Sequence, residues 1–279
     1  MNERGIHMDA YDVQNETTHS STIYPFIKFV NKPVLIYYFV DPFCYDCWSI
    51  ENSLKKMTMN YGGFFNVRPI ISHTFCAKMN RSKKRYLFEQ SSRYYLSLGI
   101  KAAGLQGNKA GRDFLRNIQE ELFLYQKSET ADDIMYQAAI QSQLDINEFT
   151  TDLTSSTARN AYQRDIRLIE EMDVTYFPTF VFLSQYIDDY SVKVSGLHSY
   201  ESYVYVLKTM LQTNLHTKQQ NIPPLEIYLR NYKRVQAEEV AFIFDLSLRE
   251  AEKQLKKLQL EQKVKRVVGN NKVYWEYIE

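Results

Sequence analysis

The stretch VLIYYFVDPFCYDCWSIE, residues 34–51, decides how the rest of the chain is read. VLIYYFV (34–40) is a continuous apolar run, the pattern of a strand covered on both faces of its sheet. It leads directly into Cys44-x-x-Cys47 and a helical pattern from about Cys44 to Asn60, with Trp48, Leu54 and Met57 spaced to face inward. Gly62-Gly63 stops that helix, and FFNVRPIIS (64–72) reads as a second strand. The three pieces form a βαβ unit, whose two strands are expected to be parallel.

Outward from this unit, the pattern is helical from about Ser82 to Met172. RDFLRNIQEELF carries Phe114, Ile118 and Leu122 at four-residue spacing. Thr130 followed by Asp133 has the form of a helix start, continued by Ile134 and Ala138, and Tyr162, Ile166 and Ile169 share a side of a later helix. KAAGLQGNKAGRDF (101–114) has several glycines but follows a helix rather than a strand, so it reads as a helix–turn–helix corner and not a phosphate loop. Strand patterns return in TFVFLS (179–184) and SVKVSG (191–196), and the helix YESYVYVLKTML (200–211) closes the unit. The order βαβ, helical block, ββα predicts an α/β thioredoxin fold with a helical insertion at about 82–172.

HTKQQNIPPL (216–225) is polar and contains two prolines, as a linker does. Beyond it, LEIYLRNY and QAEEVAFIF suggest two short helices. Ser247 and Glu250 form a capping box, and the helix they start is expected to bury Leu248, Ala251, Leu255 and Leu258. VKRVV–GNN–KVYWEY reads as a hairpin turning at Gly269-Asn270-Asn271. Helices followed by a hairpin predict a small winged-helix-like domain. The exposed positions of its last helix mix Arg249, Lys253, Lys256 and Lys257 with Glu250, Glu252 and Glu261. Acids facing a phosphate backbone weaken binding, so this helix suits solvent or a protein partner better than nucleic acid. The tail VYWEY is either a contact surface or a packing element, with Trp275 and Tyr277 at issue.

Of the 279 residues, 44% are hydrophobic and 24% charged, the balance of a globular protein. A formal net charge of +1 creates no global field towards nucleic acid or membrane. The N-terminal residues lack an apolar secretory core, and no segment has the roughly 20 apolar residues of a membrane span. Three cysteines do not make a secreted disulfide framework, so a cytoplasmic protein is expected.

Cys44 stands at a helix N-terminus, where free amides and the helix dipole favour a thiolate, and Cys47 stands where a resolving thiol would be. Pro178, after Phe177 and before TFVFLS, occupies the place of a cis-proline facing the pair. Against activation, Asp46 puts a carboxylate beside the thiols, no nearby His or Lys compensates, and Phe177 crowds the docking face. The pair is therefore expected to be retained scaffold rather than an efficient oxidoreductase. His73 and Cys76 would complete a zinc set with Cys44 and Cys47 by residue type. The tight turns of a zinc knuckle are absent, so a buried free Cys76 and a surface His73 are expected, with no metal or other cofactor.

YYFVDPFCYDCWSIE, KAAGLQGNKAGRDFLRNIQEELF, MDVTYFPTFVFL and VAFIFDLSLREAEKQLKKL together resemble the SpxH (YjbH) family. The resemblance runs from about Pro33 to Trp275, and His7 and His19 before it are too few for a metal-binding tract. It implies a non-enzymatic adapter, DsbA-like in its thioredoxin domain, that presents the transcription regulator Spx to the ClpXP protease, whether it touches the protease directly or indirectly. The expected organisation is an N-terminal extension (1–30), a DsbA-like thioredoxin domain (31–215), a linker (216–225) and the winged-helix-like domain (226–279). No short motif marks the partner-binding residues. The exposed aromatics of the thioredoxin domain and the face around Asp41, Pro42 and Phe43 are the places expected to meet Spx.

Overall fold

Val34, Ile36, Phe39 and Val40 have no solvent exposure, as the unbroken apolar run of β1 (Val34–Val40) requires of a central strand. The computed structural model describes residues 32–72, 90–125, 130–184, 190–211, 222–269 and 272–278. β1 pairs in parallel with β2 (Phe65–Ile71) and antiparallel with β3 (Thr179–Ser184), which pairs antiparallel with β4 (Ser191–Ser195). The sheet order is β2-β1-β3-β4, and the expected parallel βαβ unit is present.

The helix after β1 departs from expectation. It is α1 (Tyr45–Ser49) followed by α2 (Glu51–Tyr61), with Ile50 capping both. The insertion holds α3 (Gln90–Leu105), α4 (Asn108–Glu120), a π turn at Glu121–Tyr125, α5 (Ala131–Gln141), α6 (Ile146–Leu153) and α7 (Ser156–Glu171). The Thr130–Asp133 capping box is formed, and Phe114, Ile118, Leu122, Ile134, Ala138, Tyr162 and Ile169 are buried as predicted. Gly107 turns the α3–α4 corner with φ +127°. At α7, the buried Asp165 carboxylate accepts the Ile71 amide at 2.7 Å and the Lys101 ammonium, tying α7 to β2 and α3.

α8 (Tyr200–Met210) covers the sheet, and a second core begins after it. This module contains α9 (Leu225–Tyr232), β5 (Arg234–Val235), α10 (Ala237–Phe244), α11 (Leu248–Leu260), β6 (Val264–Gly269) and β7 (Lys272–Tyr277). Its sheet order is β5-β7-β6. The Ser247–Glu250 capping box is formed, but Leu248 is 45% exposed rather than buried, because the inward face of α11 begins at Ala251. Trp275 is buried in this core, so the aromatic tail is largely a packing element. Leu225, the last residue of the expected linker, starts α9 and packs on the second core, and residues 216–221 lie outside the described residues. Asn270 and Asn271 of the hairpin turn lie outside the described residues.

Candidate functional site: the thiol pair and the junction beside it

Cys44 is the N-cap of α1, in extended conformation (φ −93°, ψ 120°), and its carbonyl accepts the Trp48 amide at 3.2 Å. The short β1–α1 connection places its sulfur against the segment leading into β3, where the thiol donates to the Phe177 carbonyl at 3.6 Å. The Phe177–Pro178 peptide is cis, at the position read from the sequence. Cys47 is completely buried, and its carbonyl accepts the Tyr38 hydroxyl at 2.7 Å. Both cysteines are free thiols.

The two sulfurs titrate in opposite directions. A hydrogen bond from the Cys47 thiol holds Cys44 below the ordinary thiol value. Burial opposes it, while the backbone amides of Cys47 and Asp46 at the helix start reinforce it. Burial is the main cause that pushes Cys47 far upward. The carboxylate that opposes Cys44 is Asp41, not Asp46; what Asp46 contributes is its backbone amide, which favours the thiolate. Asp46 is solvent-exposed, where its charge is screened, whereas Asp41 is buried beside the pair. Burial raises the Asp41 carboxyl to about 7, partly offset by the Phe43 amide at 2.9 Å and by Arg93 at 3.9 Å.

Asp41, Pro42 and Phe43, the place expected to meet a partner, are all buried. Arg93 covers Phe43, its guanidinium 4.5 Å from the ring centre. Among the described residues, Tyr45 (42% exposed), Asp46 and Tyr176 (50% exposed), close in sequence to Cys44 and Phe177, reach solvent. His73 and Cys76, the other half of the zinc set, lie outside the described residues. Among the described residues no group of His, Cys, Asp or Glu could hold a metal ion, and no helix is long and apolar enough to cross a membrane.

The sequence reading did not find the junction next to the thiols. A cleft of about 170 Å³ lies between α1–α2, α4 and the C-terminal module, lined by Tyr45, Trp48, Lys55, Arg116, Glu239 and Tyr274 among others. Lys55 bonds Glu239 at 3.0 Å, Lys56 donates to the Phe242 carbonyl at 2.8 Å and pairs with Asp245, and Arg116 donates to the Arg234 carbonyl at 2.8 Å. Lys55 and Lys56, consecutive lysines on a mostly buried helix, were the available signal. Long cations in such a place need partners from another element.

The thioredoxin family (Thioredoxin_5) matches residues 37–205. The chain is 38% identical to ClpXP adapter protein SpxH of Bacillus subtilis over 269 residues, 88% of this chain and 89% of the relative. It is also 38% identical to ClpXP adapter protein SpxH of Halalkalibacterium halodurans, covering 89% of this chain and 90% of the relative. Spans of that length cannot fit within the thioredoxin region and include part of the C-terminal module. Among solved structures, alpha-DsbA1 of Wolbachia pipientis superposes with a TM-score of 0.50 at 14% identity, over 67% of this chain and 89% of that one. That likeness shows a DsbA-like fold.

Proposed function

The chain belongs to the SpxH family of ClpXP adapter proteins, and we propose that it works as one, binding the transcription regulator Spx and promoting its degradation by the ClpXP protease. The observation that carries this reading is the extent of the likeness. Identity to the named adapters runs over 88–89% of the chain, through both cores, while the fold likeness to alpha-DsbA1 stops at 67%.

An adapter raises the local concentration of its client at the protease and needs no covalent step. The role is therefore non-enzymatic, and its place is the cytoplasm, with neither nucleic acid nor membrane as partner. The order α9-β5-α10-α11-β6-β7 supports reading 226–279 as a winged-helix module attached through 216–225 to the thioredoxin domain of 31–215, with 1–30 as an extension. On the thiol face, Tyr45 and Tyr176 are the aromatic side chains available to a client.

The lowered Cys44 titration favours a second reading, thiol–disulfide exchange or redox sensing at Cys44 and Cys47, with Pro178 beside them. Calorimetry of Spx binding separates the two. The adapter reading expects equal, tight binding by the reduced protein and by the Cys44→Ser, Cys47→Ser double variant, and Spx turnover by ClpXP that depends on added adapter. Binding lost only in the folded double variant would replace it with the thiol reading.

A further inference from the structure

The helix that begins at the thiol pair is shared between the two cores. Ile50, Leu54 and Met57, at i, i+4 and i+7, pack on the thioredoxin core. Asn52, Lys55, Lys56 and Met59 lie on the other face and meet the C-terminal module, while Trp48 packs against both the thioredoxin core and the module. Trp48 packs, like Val267, on Leu124 and Tyr274; Asn52 lines the cleft together with Val235 and Gln236; Met59 is part of the second core. Lys55 and Lys56 hold Glu239, the Phe242 carbonyl and Asp245 of α10 and its cap. Tyr45 and Trp48, either side of Cys47, both rest on Phe123 of the π turn, with ring centres 5.7 and 5.6 Å apart. The first turn after Cys44 is thus part of the seat of the C-terminal module.

From this geometry we infer that the oxidation state of Cys44 and Cys47 is linked to the docking of the C-terminal module, through the helix they share. Oxidation by a low-molecular-weight disulfide such as oxidised glutathione removes two electrons and two protons from the thiols. The Cys44–Cys47 bond forms as the S–S bond of the oxidant breaks to two thiols. The new bond is about 2.05 Å long, and its sulfurs neither donate to the Phe177 carbonyl nor carry charge at the helix start. Both cysteines are buried, but Cys47 is also held by the Tyr38 hydroxyl on its carbonyl, so the adjustment falls on Cys44 and the first turn of α1. That turn carries Tyr45 and Trp48. Oxidation loosens the module, and by reciprocity a loosened module makes the pair easier to oxidise.

The linkage is a property of the chain alone and does not depend on the adapter reading, so its test uses neither Spx nor protease. Hydrogen exchange is followed by mass spectrometry on the full chain, reduced and after oxidation with glutathione disulfide. Amides of α10, α11 and β6–β7 are expected to exchange at least about threefold faster when oxidised. The Cys44→Ser, Cys47→Ser variant, under the same oxidant, shows no change. Separately, the equilibrium constant for oxidation by glutathione disulfide is expected to rise about tenfold, about 30 mV, in Glu239→Gln and Tyr274→Ala. Unchanged exchange in the module of the oxidised wild type, or constants within about twofold of wild type in both variants, overturns the linkage.

Discussion

Lys55 Nζ lies 3.0 Å from Glu239 Oε1, joining α2 to α10 across 184 positions of chain. Glu239 also accepts the Tyr228 hydroxyl, and Lys55 reaches Glu51 at 3.6 Å, so the buried charges have several partners each. Burial disfavours such a pair, and it is tolerated because its hydrogen bonds are made. Removing one partner strands the other. Glu239→Ala is expected to cost about 3–5 kcal/mol and to uncouple the C-terminal module. In urea it should unfold in two steps, with the module first. A single transition at the wild-type midpoint would show that the pair does not hold the junction.

The same residue makes stability sensitive to acid. Burial alone would raise the Glu239 carboxyl, but Lys55 and Arg116 with the Tyr228 and Lys55 hydrogen bonds hold it below the usual carboxylate value. A folded value below the unfolded one stabilises the protein above the unfolded pKa, and that stability disappears as pH falls through the folded one. Wild type should therefore lose stability over the acid range more steeply than Glu239→Gln. Parallel acid limbs for the two would contradict this account.

Asp41 acts with the opposite sign. Its carboxyl stands at about 7 in the fold against 3.8 ordinarily, so its favourable contribution is complete below 3.8 and is lost as pH rises through 7. Over that window the loss is on the order of 4 kcal/mol. Asp41→Asn keeps an acceptor for the Phe43 amide and does not ionise. Its stability relative to wild type is expected to grow between pH 4 and pH 8, roughly the window set by the two pKa values. Denaturant midpoints at several pH values measure it, and a constant difference would refute it.

Asp41, not Asp46, is also the carboxylate expected to modulate the reactivity of Cys44. Asp41→Asn removes the charge that opposes the Cys44 thiolate, so alkylation of Cys44 should begin at lower pH than in wild type. Asp46→Asn should leave the profile where it is, because the Asp46 contribution comes from its backbone amide. The iodoacetamide rate against pH, with Cys47→Ser and Cys76→Ser to leave Cys44 as the one thiol, is the measurement. A larger shift from Asp46→Asn would reverse the assignment.

At the α3–α4 corner two glycines should respond differently to alanine. A Cβ on Gly111 would come 3.0 Å from the Gly104 Cα and 3.3 Å from its nitrogen, backbone that cannot move without parting the helices. Gly111→Ala is expected to cost about 1–3 kcal/mol. A Cβ on Gly104 meets nothing within 4 Å, so Gly104→Ala should gain up to about 1 kcal/mol of helix propensity. Thermal melts of both variants test the pair, and equal effects would remove the steric explanation.

What could be read in the sequence was what repeats locally. The apolar run of β1 announces a central strand, the Thr130 and Ser247 boxes mark helix starts, and the Cys44 position follows from the strand before it and the helix after it. β5 escaped because two residues, Arg234 and Val235, have no period to recognise, and their pairing partners lie in β7. The break at Ile50 escaped because Ile50 keeps helical backbone angles and caps both helices, and no Gly or Pro marks the break.

The sequence by itself determined the order of the main strands and helices, the thioredoxin scaffold and the thiol pair at a helix start, since these depend on neighbours a few residues apart. Only the tertiary structure decided which carboxylate opposes the Cys44 thiolate, that Asp41 to Phe43 are buried, and that Lys55 and Lys56 seat a second core. Those outcomes depend on burial and on partners such as Arg93 and Glu239 brought from distant parts of the chain. Desolvation and pairing act through space, and no local pattern records them.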